Sequence, residues 1–68
     1  MPGTYKMTEI VGTSSKSFSD AVQSAVRRAS KTLRNLSWFE VVEQRGAIKN
    51  GEASEFQVTL KVGFKLED

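Results

Sequence analysis

Along this chain the spacing of apolar positions changes three times, and each change marks an element. "YKMTEIV" (5–11) is rich in β-branched and aromatic residues and stops at Gly12, which predicts a first strand. "GTSSKS" follows as a polar loop. From Phe18 the period lengthens. Phe18, Val22, Ala25, Ala29, Leu33 and Leu36 recur at spacings of three or four, which predicts a helix over about 18–35. Ser17 stands where an N-cap is needed. Asp20, three residues on, makes a short variant of the capping box, and its charge suits the helix N-terminus. Arg27, Arg28, Lys31 and Arg34 gather in the C-terminal half, where they complement the helix dipole.

A second strand follows from Ser37 to about Ile48, with Gly46 as its expected bulge or bend. "KNGE" (49–52) is the sharpest local signal. Asn-Gly accepts the positive φ angles of a type I′ turn and closes a two-residue hairpin. The third strand is a long alternation. Phe56, Val58, Leu60, Val62, Phe64 and Leu66 share one face, and Glu55, Gln57, Thr59, Lys61, Gly63 and Lys65 the other.

The order is therefore β-α-β-β, an α+β fold in one domain spanning 1–68. A right-handed crossover through the helix makes the first two strands parallel. The hairpin makes the third antiparallel to the second. With the third strand in the middle, every neighbouring pair is antiparallel, and the three-stranded antiparallel sheet has the order 1-3-2. One helix covers one face and leaves the other bare.

Trp38, the only tryptophan, falls on the bare face. Counting back from Asn50-Gly51 pairs Val41 with Leu60 and Phe39 with Val62, all apolar and expected under the helix. Their alternates Trp38, Glu40, Val42 and Gln44 point the other way. Two readings of Trp38 stand side by side. It packs in a subunit interface, where tryptophan is enriched, or it is a stacking platform for a flat ring. By the same counting Gln57 pairs with Gln44, six residues from Trp38, or roughly 20 Å along a strand. One ring system cannot touch both within a chain, so a site using both is assembled from different subunits.

Composition narrows the classes. The chain has no cysteine and no histidine, so no disulfide staples it. Ser-His-Asp and Cys-His enzymes are excluded, and a zinc site is disfavoured. No catalytic residue and no metal ligand stands out. A 68-residue chain without staples gains most from association, so an oligomer is expected. The net charge is only +2, a weak argument for nucleic acid. The basic half of the helix, with no aromatic interleaved, reads as a solvated face. The first twenty residues hold no apolar run long enough for a signal peptide, and no segment is long enough to span a membrane. A cytoplasmic location is the default.

"SWFEVVEQRG" followed by "FQVTLKVGFKLED", with "YKMTEIVGTSSKSFSDAV" at the start, resembles the dodecin family of small flavin-binding proteins over nearly the whole chain. The resemblance implies a hollow homo-dodecamer with flavins stacked between tryptophans of neighbouring subunits. Trp38 matches the stacking tryptophan and Gln57 the glutamine that reads the isoalloxazine edge. The implied ligand is FMN or riboflavin, and some bacterial members also bind coenzyme A. The implied role is flavin storage, buffering and photoprotective quenching, with no catalysis. Arg45 is a weaker candidate for the FMN phosphate, because simple alternation points it to the helix side unless a bulge at Gly46 re-aims it. Two rival classes remain, a cage protein without ligand and a basic oligomer on nucleic acid.

Overall fold

A helix N-cap and a hairpin turn, both legible as short motifs, frame the structure. The computed structural model describes residues 2–67. The Ser17 hydroxyl accepts the Asp20 backbone N–H at 3.0 Å, and the helix α1 (Phe18–Ala29) starts there. Asn50 and Gly51 take φ angles of 54° and 79°, the two positive values a type I′ turn requires. They join β2 (Leu36–Lys49) to β3 (Glu52–Lys65). The first strand, β1 (Tyr5–Ser14), pairs antiparallel with the other side of β3. The sheet order is β1-β3-β2, as the crossover and the hairpin together predict. No helix among the described residues is long and apolar enough to cross a membrane.

Two expected boundaries move. β1 does not stop at Gly12 but runs through it to Ser14. Gly12 is there because the helix lies against the strand: a Cβ at Gly12 would sit 2.7 Å from the Ala25 Cβ and closer still to the Ala21 carbonyl oxygen. The helix ends at Ala29, not near residue 35. The Ser30 hydroxyl donates to the Arg27 carbonyl at 2.8 Å and the Thr32 hydroxyl to the Ala29 carbonyl at 3.4 Å. The Lys31 and Thr32 N–H groups donate to the Arg28 and Ala29 carbonyls at 3.2 and 3.1 Å, three-residue steps that tighten the chain out of the α-helix. Asn35, at φ 62°, then turns the chain into β2.

The buried line of the helix is Ala21, Ala25 and Ala29, flanked by the half-buried Val22 and Val26, and is thus displaced from the expected stripe. It packs on Val58 and Leu60 of β3 and on Ile10 of β1. Small alanines allow this close approach. Burying side chains such as Leu60, Val58 and Val62 contributes about 1.5–3 kcal/mol each.

Phe39 pairs with Val62 and Val41 with Leu60, as counted from the turn. They are nonetheless 51% and 43% exposed. The helix sits over β1 and β3, and β2 lies beyond its edge. Past the end of β1, β2 and β3 continue as a two-stranded arm, at which Ile48 is 80% exposed. The Cα radius of gyration is 13.9 Å, against about 11 Å for a self-contained chain of this length. The accessible surface is 5062 Å², against roughly 4,250 Å² for a compact monomer of this mass. This protomer leaves surface open that a solitary domain would close.

Candidate functional site

The open face of the sheet carries two clusters of side chains, one at each end. At the first, Trp38 stands directly opposite Gly63, and Met7 stands opposite Gly63 from β1. The indole fills the space above the glycine. A Cβ at position 63 would lie 2.7 Å from the Trp38 Cδ2 and closer still to Cε2 and Cζ2. Tyr5 flanks the indole, with ring centroids 5.1 Å apart and planes tilted by 47°. Trp38 stays 37% exposed. The six-membered ring is therefore seated on the sheet backbone.

At the second cluster, Arg45 stands directly opposite Gln57. Hairpin counting without bulges pairs Gln57 with Gln44, and the structure corrects this. Three irregularities shift the register, and two of them lie between the turn and Trp38. Between Ile48/Ala53 and Ala47/Glu55, Ser54 is an extra residue on β3. Between Glu43/Thr59 and Val41/Leu60, Val42 is an extra residue on β2. The two shifts cancel, so Phe39 and Trp38 keep their expected partners. Between them, residues 43–47 exchange faces. Arg45 and Glu43 come to the open face with Gln57 and Thr59, and Gln44 goes to the helix side. The pairing runs unbroken through Gly46, which is not the bulge. A bulge that re-aims one side chain is a recurrent device beside functional sites. The doublet Val41-Val42, which breaks the alternation of β2, is the signal that marks it.

A chain of polar contacts follows. Arg45 Nε donates to Gln57 Oε1 at 2.7 Å, and its Nη1 donates to Glu43 Oε1 at 2.7 Å and to Thr59 Oγ1 at 3.4 Å. Gln57 Nε2 donates to Glu55 Oε1 at 2.7 Å. The Arg45 guanidinium thus spends Nε and Nη1 inside the chain. Six residues of β3 separate Gly63 from Gln57, roughly 20 Å. The indole and the amide cannot meet on one small ring within this chain.

The dodecin family model matches residues 4–67. The chain belongs to the dodecin family. A dodecin from Thermus thermophilus is 52% identical over 68 residues, covering 100% of this chain and 99% of its own. A solved structure of dodecin from Streptomyces coelicolor is 54% identical with a TM-score of 0.92, covering 96% of this chain and 93% of its own. A calcium dodecin from Mycobacterium tuberculosis is 32% identical over 62 residues, covering 91% of this chain and 87% of its own. Among the described residues of the present family member, no three acidic side chains gather where they could hold a metal ion.

Proposed function

We propose that this protein binds flavin, FMN or riboflavin, between subunits of a homo-dodecamer, and serves to store, buffer and photochemically quench it. The observation that carries the reading is the seat of Trp38 on Gly63, which presents a flat, electron-rich ring on the face the helix leaves open. Family membership points the same way. When bound, the ligand supplies an electron-poor tricyclic ring and a hydrogen-bonding edge. The residues present fit both. Trp38 supplies the stacking surface, where an aromatic pair gives about 0.5–1.5 kcal/mol beyond the area it buries. Gln57 supplies an amide with donor and acceptor. Arg45, now on the same face as Gln57, holds Nη2 for the FMN phosphate.

The separation of Trp38 from Gln57 along one chain requires a site built from more than one subunit. The exposed apolar residues of β2 and its arm, Phe39, Val41, Val42 and Ile48, support the same assembly. On this reading the role is binding, without turnover. Titration of FMN into the purified assembly tests this. Flavin fluorescence should fall nearly to zero and saturate at a fixed stoichiometry. Flavin that stays bright, or that does not bind, sinks the reading in favour of an empty cage.

A further inference from the structure

The Gln57 amide lies between two opposite charges. From the neighbouring strand the Arg45 guanidinium donates to its oxygen at 2.7 Å. From two residues back on β3 the Glu55 carboxylate accepts from its nitrogen at 2.7 Å. Both bonds are charge-assisted and therefore stronger than bonds between neutral groups. Rotating the amide by half a turn would aim its N–H groups at the guanidinium and its oxygen at the carboxylate, and both contacts would become repulsive. Arg45 is itself held by Glu43 and Thr59, so it cannot simply follow the amide. Gln57 consequently has one orientation.

A primary amide has two N–H donors and two oxygen lone pairs. Arg45 uses one lone pair and Glu55 uses one N–H. One donor and one acceptor remain, on neighbouring atoms of one planar group and in a fixed order. Their complement is a ring N–H next to a ring carbonyl, the imide unit of a pyrimidinedione.

We propose that Glu55 is a specificity-determining positioning residue: with Arg45 it locks the Gln57 amide so that the site accepts rings carrying an unsubstituted imide N–H and rejects those alkylated at that nitrogen. The proposal rests on the flavin reading and sharpens it to one edge of the ring. Glu55 does not touch the ligand. It acts by denying Gln57 the flipped orientation, in which the amide would satisfy a different edge.

The test compares riboflavin with 3-methylriboflavin by fluorescence-quenching titration of the assembled protein. The unmutated protein should bind riboflavin at least tenfold more tightly. Glu55→Ala should narrow that ratio several-fold, chiefly through tighter relative binding of the methylated ring. Glu55→Gln keeps the size and an accepting oxygen but not the charge, and should give an intermediate ratio. It carries the test by itself if Glu55→Ala does not assemble. A ratio unchanged in the variant, or an equal loss for both ligands, would overturn the proposal and leave Glu55 a merely structural residue. Failure of the unmutated protein to bind either ring would instead bring down the flavin reading itself.

Discussion

Trp38 and Gly63 face each other across β2 and β3, and the indole occupies the volume that any side chain at position 63 would need. The glycine is thus part of the indole's seat. Gly63→Ala should lift or rotate the indole, because a Cβ there would lie 2.7 Å or less from three of its atoms. Flavin affinity should fall by tenfold or more and bound flavin should regain measurable fluorescence. Wild-type affinity and full quenching in this variant would show that the indole does not need its seat.

Trp38→Ala removes the stacking surface outright. Loss of the stacking term alone, about 0.5–1.5 kcal/mol, is a roughly 2- to 13-fold loss of affinity, and lost buried area adds to it. Whatever flavin still binds should be fluorescent, since no indole remains to quench it. Titration with emission and lifetime readouts checks both parts.

Gln57→Ala should weaken flavin without dismantling the assembly. On the proposed reading the amide would contribute a small number of hydrogen bonds to the ring, each of about 0.5–1.5 kcal/mol net. Light scattering should report an unchanged particle while the dissociation constant rises. An unaltered constant would mean that another group reads the ring edge.

Arg45→Ala should reduce FMN binding more than riboflavin binding, because only FMN carries a phosphate for Nη2 to meet. Some loss for riboflavin is also expected, since Arg45 helps to orient Gln57 through the 2.7 Å bond from Nε. Parallel titrations of the two ligands at low and high salt measure the difference. Equal losses at both salts would remove Arg45 from phosphate binding.

The protomer should not persist alone. Its apolar residues Phe39, Val41, Val42 and Ile48 stay exposed, its arm is a bare hairpin of a kind only marginally stable in water, and no disulfide compensates. Dilution should couple dissociation to unfolding, seen as coincident loss of particle mass and circular dichroism. A folded monomer at micromolar concentration would contradict the composite site.

Local rules were enough for much of this protein. Ser17 as cap, Asn50-Gly51 as turn and the alternation of β3 are decided by residues within a few positions of one another. They fix which elements form and, through the hairpin, the 1-3-2 order of strands. The face of Trp38 follows as well, because two bulges that cancel leave its register unchanged. What local rules could not decide was set by contacts between distant residues. Gly12 continues a strand and does not end it, because Ala21 and Ala25 of the helix come down on it. Arg45 reaches the open face because Val42 is squeezed out of register, and alternation alone sends it to the opposite side. The reason is physical: periodicity assigns faces only while pairing is unbroken. Where pairing breaks depends on how the whole of β2 is laid against β3, and the Val41-Val42 doublet hints at the place without fixing which residue is left out of register.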